Sequence, residues 1–234
     1  MRNLILILIA STVFISCASV SGNGNVRDEN REISNISEVK TSGSIDVEIR
    51  SGDKYSLTVQ DDENLLPYVI TEVNDGVLNI HYKDGYSVMR DHAKVIVTAP
   101  ALEKLSSSGS ADITSVGVIK NSNRIEINTS GSGDINAEVD APSIRVTGSG
   151  SGNITLSGRT KDFNCQISGS GDVKCGNLKS ENAVIHVSGS SDVHVFASVS
   201  LKVNVTGSGD VYYGGNPTSP ETHITGSGTV QAVK

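Results

Sequence analysis

Apolar residues recur at every second position on both sides of a glycine-containing turn throughout the C-terminal half of the chain. Ile125 and Ile127 precede one such turn, and Ile135 and Ala137 follow it. Alternation with a period of two is typical of strands that bury one face. The pattern therefore predicts two half-buried strands in each repeat, joined by the glycine turn.

The turn recurs with a nearly constant period. Its form is Gly-Ser-Gly, then Asp or Asn, then Ile or Val, and successive turns begin 22, 19, 19, 20, 18 and 19 residues apart. A repeat this short cannot bury its apolar face alone, so successive repeats must stack. The residues predicted to build the turns, in a structural role, are Gly109, Asp112, Gly131, Gly133, Asp134, Gly150, Gly152, Asn153, Gly169, Gly171, Asp172, Gly189, Asp192, Gly207, Gly209, Asp210, Gly226 and Gly228.

Stacking of equivalent strands about 4.8 Å apart predicts an all-β fold, a right-handed parallel β-helix or solenoid. Each coil would contain about 19 residues. An antiparallel sandwich of hairpins is the alternative, because glycine turns also connect hairpins. The solenoid is favoured because equivalent side chains recur in columns, and because the extra Gly148-Ser149 falls at a turn as an insertion between coils.

The chain divides into four segments. Residues 106–234 are predicted to form the regular coils, and residues 36–105, with the same strand chemistry but looser spacing, an N-terminal β region whose irregular coils cap the stack. Residues 1–16 form a predicted signal peptide, because a basic residue precedes an apolar run too short to span a bilayer. Residues 17–35 are predicted to hold an anchor cysteine and a flexible tether rich in Ser, Gly and Asn.

The cysteine at the end of the signal segment suggests a lipid anchor. Phe14 to Cys17 resembles a bacterial lipobox, in which a small residue precedes the lipidated cysteine. We therefore expect Cys17 to carry the lipid, and the protein to be exported and anchored in the cell envelope, at the outer membrane. The alternative is an ordinary signal peptide cut beyond Ser16, which would leave Cys17 unmodified.

Composition indicates which side chains fill the core and which class of partner to exclude. Only 4% of residues are aromatic, so short β-branched side chains must fill the core. The net charge of −7 has the wrong sign for binding a phosphate backbone, so no nucleic-acid partner is expected.

One stretch resembles a known family. Residues 94–105, a strand that runs into Pro100-Ala101-Leu102-Glu103-Lys104-Leu105, are followed by Gly109-Ser110-Ala111-Asp112-Ile113 and the Gly-Ser-Gly-Asp series. This arrangement resembles the putative auto-transporter adhesin head GIN domain family over roughly residues 36–230. The resemblance implies a right-handed β-helix, a location in the bacterial cell envelope and a role in adhesion. It brings no catalytic residues.

A column of aspartates offers the clearest candidate metal site. Asp112, Asp134, Asp172, Asp192 and Asp210 would stack in a solenoid, and carboxylate columns can bind Ca²⁺. Aspartate also supports turns through its own side-chain hydrogen bonds, and Asn153 and Thr229 occupy equivalent places. We expect the turn role, with no metal and no cofactor.

The histidines and cysteines of the coils are not predicted to bind a metal ion. His186 and His223 would lie two coils apart, too far to share one metal ion, and nothing supplies a third ligand beside His194. Cys165 and Cys175 are both predicted to point into the core as free thiols.

No enzyme motif accompanies the repeat. A non-enzymatic envelope lipoprotein that binds a surface glycan or protein ligand is therefore the predicted function. A structural envelope scaffold without a ligand is one alternative. A polysaccharide-active enzyme, with Arg124, Arg145 and Arg159 as a basic patch, is the other.

Overall fold

The computed structural model describes residues 18–233, and most of them lie in strands. One 3₁₀ turn spans Leu66–Tyr68. The strands in chain order are β1 (Ala18–Ser21), β2 (Val26–Arg31), β3 (Glu38–Gly43), β4 (Asp46–Ser51), β5 (Ser56–Asp62), β6 (Val69–Asn74), β7 (Val77–Tyr82), β8 (Tyr86–Met89), β9 (Lys94–Ala99), β10 (Lys104–Gly109), β11 (Ile113–Lys120), β12 (Arg124–Gly131), β13 (Ile135–Asp140), β14 (Ser143–Gly150), β15 (Ile154–Gly169), β16 (Val173–Gly189), β17 (Val193–Gly207), β18 (Val211–Gly214), β19 (Glu221–Gly226) and β20 (Val230–Ala232).

The predicted β-solenoid is confirmed by the strand pairing. Except in the coil of β7 and β9, each coil has a first strand that ends at a turn glycine and a second strand that follows the turn. First strands pair in parallel with first strands of neighbouring coils, as β12 does with β14, and second strands with second strands, as β13 does with β15. β15, β16 and β17 each supply the second strand of one coil and the first strand of the next.

The core consists of columns of short side chains, one from each coil. Along the first strands, one fully buried column contains Leu105, Ile127, Val146, Cys165, Ile185 and Val203. Complete burial of such a side chain contributes roughly 1.5–3 kcal/mol. The alternation predicted from the sequence therefore places the apolar residues inside and the polar ones outside.

The first coils are not stacked in chain order. The coil of β3 and β4 lies between the coil of β7 and β9 on one side and the coil of β10 and β11 on the other. Residues 52–103 leave this coil, build the layer beneath it with β7 and β9, and return to its other side at β10. The predicted boundary between residues 105 and 106 falls inside β10, and the sheet continues through it.

Antiparallel strands close the N-terminal end of the stack. β6 pairs antiparallel with β7, and β5 pairs antiparallel with both β9 and β2. The irregular N-terminal region thus includes a cap of a different strand arrangement from the coils that it covers.

Residues 18–31 are not the flexible tether that their composition predicts. β1 pairs in parallel with β8, and β2 covers the edge of β5. The guanidinium of Arg31 donates to the carbonyl oxygens of Val69 and Leu66 at 2.7 and 3.0 Å. Backbone pairing and this polar contact hold the segment in place with little apolar burial, which is why hydrophobic patterning did not reveal it.

The Gly148-Ser149 pair is not an insertion. Both residues lie in β14, where Gly148 stands opposite Thr129 and Ile167 in register. A Cβ atom at Gly148 would lie 2.8 Å from Cδ1 of Ile167, so the glycine makes room for the larger neighbour in an inward column.

Candidate functional site

The turn glycines allow neighbouring coils to approach at backbone distance. Gly131 has φ of +134°, in the region that favours glycine, and a Cβ atom there would lie 2.1 Å from the carbonyl oxygen of Gly109. The five turns that have a second glycine are crowded there in the same way, as at Gly133, whose Cβ atom would lie 2.0 Å from the oxygen of Ala111. The structure therefore gives these glycines a packing role.

The predicted aspartate column runs beside the turns, between the two strands of successive coils, and forms a hydrogen-bond ladder. Oδ1 of Asp112 accepts the backbone N–H of Asp134 at 2.8 Å, and Oδ1 of Asp134 accepts that of Asn153 at 2.7 Å. Farther along, Oδ1 of Asp192 accepts the N–H of Asp210. The backbone N–H of the equivalent residue in the next coil is thus accepted by the side chains of Asp112, Asp134, Asn153, Asp192 and Asp210.

Two members of this ladder show how its surroundings set their charge. Hydrogen bonds from the hydroxyl and backbone N–H of Thr229 lower the pKa of Asp210. Burial raises the pKa of Asp46, which accepts the N–H of Asp112, and the neighbouring carboxylates add to the rise. Within residues 18–233, no three His, Cys, Asp or Glu side chains are grouped so that they could hold a metal ion.

Beside the turns lie two columns of hydroxyl groups. Every turn glycine from Gly43 to Gly226 has Ser or Thr immediately before it and Ser immediately after it. The register places the preceding hydroxyls in one stack, at the coil spacing of about 4.8 Å. The following Ser residues form a second stack, because the backbone N–H of each from Ser110 onward bonds to the turn-glycine carbonyl oxygen of the neighbouring coil. The residues that precede the glycines are Ser42, Ser108, Ser130, Ser149, Ser168, Ser188, Thr206 and Thr225. These hydroxyl residues are visible in the sequence, but Ser and Thr beside glycine are also ordinary turn residues.

One of these columns forms the wall of a groove on the outer face of the first strands. The groove has a volume of about 390 Å³ and crosses β14, β15, β16 and β17. Its polar side chains carry hydroxyl, amide or imidazole groups and no carboxylate or ammonium group. They are Thr147, Ser149, Gln166, Ser168, His186, Ser188, Asn204 and Thr206, and the apolar residues Gly148, Ile167 and Val187 complete the lining. We call this feature the polar groove.

The histidines and cysteines do not form a site together. Nδ1 of His186 lies 3.3 Å from Nδ2 of Asn204, one coil away, while His194 stacks on Tyr212 on the second strands. Cys165 and Cys175 are free and buried, as predicted, and burial raises the pKa of both thiols, that of Cys175 to about 12. Neither thiol is therefore activated as a nucleophile.

The predicted signal peptide and the predicted lipid-attachment residue Cys17 lie outside the residues that the structure describes. None of the helical structure between Ala18 and Val233 has the length and hydropathy required to cross a bilayer.

The fold is shared with several solved structures. A putative adhesin from Bacteroides fragilis superposes with a TM-score of 0.87 at 19% identity, over 92% of this chain and 100% of that chain. A putative lipid binding protein from Parabacteroides distasonis has a TM-score of 0.74 at 27% identity, over 92% and 100%. A putative adhesin from Parabacteroides merdae has a TM-score of 0.71 at 25% identity, over 93% and 100%.

The sequence comparison identifies the family. No curated protein matches the chain. Residues 35–217, in contrast, match a family described as putative auto-transporter adhesin, head GIN domain. This match spans the cap except β2, the coil of β3 and β4 and most of the regular coils. The chain therefore belongs to the putative auto-transporter adhesin, head GIN domain family.

Proposed function

We propose that this protein is a non-enzymatic binding module of the bacterial cell envelope, which attaches to a surface glycan or protein through the polar groove. The groove itself is the observation that carries the proposal. It presents hydroxyl and amide groups on four paired strands, so its hydrogen-bonding groups are held on a rigid frame.

The chemistry of the groove favours binding over catalysis. His186 is the one titratable side chain among its lining residues, and its partner across the coil is the amide of Asn204. A general acid–base pair needs a second titratable group within reach of the first. Hydroxyl and amide groups both donate and accept hydrogen bonds, which suits recognition of a polar polymer surface.

We further propose that a lipid on Cys17 anchors the module. Because β1 begins at Ala18 and pairs with β8, the anchor would hold the capped end of the solenoid close to the membrane rather than on a long tether. The regular coils, and the groove with them, would then project away from the bilayer.

A binding screen with a groove variant tests the proposal. Ser168→Arg places a long side chain in the groove at an exposed position, and Asn136→Arg places the same side chain on the exposed face of a second strand. Glycan and extracellular-matrix protein arrays are probed with the mature domain and both variants. We expect a ligand that the wild type and Asn136→Arg bind and that Ser168→Arg loses.

Failure of the wild type to bind any arrayed ligand would favour an envelope scaffold instead. Equal binding by both variants would show that the ligand does not bind in the polar groove. Release of unsaturated sugars from acidic polysaccharides, followed by ultraviolet absorbance, would favour the enzymatic alternative.

A further inference from the structure

A second recess lies on the outer face of the second strands, around Gly214. The register places Gly214 beside Phe196 of the preceding coil, and Tyr212 beside His194. A Cβ atom at Gly214 would lie 3.5 Å from Cδ2 of Phe196, which is an ordinary contact distance. Neither crowding nor a left-handed backbone therefore requires glycine at this position, in contrast to the turn glycines.

The absence of a side chain at Gly214 leaves open space beside aromatic rings. The recess has a volume of about 250 Å³. Phe196 is partly exposed on one side of it, and the rings of His194 and Tyr212 stack with centroids 4.7 Å apart and planes at 19° on another. Gly176 also lines the recess, and a Cβ atom there would meet nothing within 4 Å.

Of the two phenylalanines that the structure describes, Phe196 alone reaches the surface. The sequence has 3 Phe and no Trp, and Phe163 lies in the core with 3% of its surface exposed. Outward positions of the second strands are otherwise mostly polar, as at Asn136 and Lys174. An aromatic ring that is kept at the surface next to an open space is typical of a binding site for a flat apolar face.

Polar groups at the rim define the chemistry of the ligand. Nζ of Lys179, in the coil before Phe196, lies 4.0 Å from the centroid of its ring and supplies a cation over one face, whereas Gly214 lies in the coil after Phe196. A cationic ligand would be repelled by this ammonium. The hydroxyl of Tyr212, with Oδ2 of Asp210 at 3.4 Å, supplies hydrogen-bonding groups beside the rings.

We propose that this recess binds one pyranose ring of a glycan, with the apolar face of the sugar on Phe196 and its hydroxyls directed to Tyr212, Asp210 and Lys179. A pyranose combines a C–H face with a rim of hydroxyls, which matches an aromatic floor with polar groups at its edge. The volume suits a single ring. This site is separate from the polar groove, which lies on the first strands.

The absence of tryptophan from the sequence makes the site directly observable. In F196W the indole keeps an aromatic floor and is the only tryptophan reporter in the protein. In V199W the indole lies on the same strand β17, at a position that is 52% exposed and outside the recess. Both variants are titrated with the hexasaccharides of cellulose, chitin and laminarin and with mannohexaose.

We expect at least one of these sugars to shift the emission of F196W in a saturable way and to leave V199W unchanged. Adding G214V should weaken the binding about tenfold or more, since a valine side chain fills the space that the sugar occupies beside Phe196. If F196W does not fold, amide shifts of Gly214 in the wild-type protein replace the fluorescence measurement.

Three results would overturn this assignment. They are no response of the wild-type or F196W protein to any of the four sugars, equal binding after G214V, and a response to choline, which would indicate a cation site. Ser168→Arg should leave the response intact, so failure of the polar groove and failure of this recess are distinguishable.

Discussion

Oδ1 of Asp134 accepts two hydrogen bonds from Asn153 in the next coil, one from its backbone N–H at 2.7 Å and one from its side-chain amide at 3.1 Å. The carbonyl oxygen of Asn153 in turn accepts the N–H of Ile135. A side chain thus completes the backbone pairing of the sheet at the turn, where the strand geometry is interrupted.

Replacement of Asp134 tests the value of this ladder. Asp134→Ala removes the acceptor and should lower the free energy of unfolding by about 0.5–1.5 kcal/mol, whereas Asp134→Asn keeps an acceptor oxygen and should cost less. Urea denaturation measures both. Asp53→Ala, at an exposed site, is the control, and a cost at Asp134 no greater than at Asp53 would contradict the ladder.

Two glycines should respond in opposite ways to alanine. A Cβ atom at Gly171 would lie 2.1 Å from the carbonyl oxygen of Gly152, while one at Gly176 would meet nothing within 4 Å. Gly171→Ala should destabilise the protein by at least ~2 kcal/mol through overpacking. Gly176→Ala should be neutral or stabilising by up to ~1 kcal/mol, because alanine restricts the unfolded chain. Thermal unfolding separates these results, and similar melting temperatures would argue against close packing of the coils at the turns.

The alternation of faces is testable at adjacent residues. Val187 is 2% exposed in an inward column, whereas His186 points outward into the polar groove. Val187→Asp buries an unpaired charge and should prevent folding or cost several kcal/mol. His186→Asp should stay within ~0.5 kcal/mol of the wild type. Circular dichroism and urea denaturation provide the comparison, in which equal damage at both sites is the contrary result.

Acidic groups under the cap should give a characteristic pH dependence. The hydroxyl of Tyr82 lies 3.1 Å from Oδ2 of Asp61 and 2.8 Å from Oδ2 of Asp91, so one proton donor faces two carboxylates. Burial raises the pKa of Asp61 above its ordinary value of 3.8. The folded state therefore binds this proton more tightly than the unfolded state does. The resulting stabilisation is fully present below pH 3.8 and is lost as the pH rises through the folded-state pKa.

Asp61→Asn isolates this contribution. The variant should be more stable than the wild type at pH 7, and its advantage should shrink as the pH falls towards 4. Chemical denaturation at several pH values gives the difference in unfolding free energy between the variant and the wild type. This difference cancels the contributions of groups that act in the opposite direction, such as Glu48, whose pKa is lowered by its ion pair with Lys94. An advantage that does not change with pH would refute the explanation.

Fractionation of cells tests the anchor. Cys17→Ala should move the protein from the membrane fraction to the soluble fraction, because the preceding apolar run is too short to hold it in a bilayer. Unchanged partitioning into detergent would contradict lipid attachment at Cys17. Arg27→Ala, an exposed change in β2, controls for nonspecific effects on export.

The regular coils could be predicted because their information is local. The alternation of Val203 and Val205 defines a strand face, and the strand ends at the turn glycine Gly207. Neither signal depends on residues that are distant in the sequence. The stacking order of the first coils could not be predicted, since β3 and β10 have the same alternation as any other pair of first strands. Their contact links residues more than 60 positions apart, and no local pattern distinguishes it from a sequential stack.

The candidate sites were harder to predict for a related reason. The polar groove is lined by Gln166 and Ser168, which are ordinary surface residues until the register places four such strands side by side. The recess at Gly214 depends on Phe196, which lies 18 positions away in the sequence. Surface features of a solenoid run across the coils, whereas sequence patterns run along them.

The position of the β3–β4 coil also limits the order in which the protein can assemble during synthesis. When this coil has been made, neither of its neighbours exists. One face is covered only after residue 99 is available, and the other only after residue 120. In a nascent chain, this coil therefore lacks a paired strand on at least one side until some seventy further residues have been made. From β12 onward, each new coil can add to a finished surface as soon as it is made. The coils of the first half thus complete their strand pairing only after later residues have been synthesised, whereas the second half can grow one coil at a time.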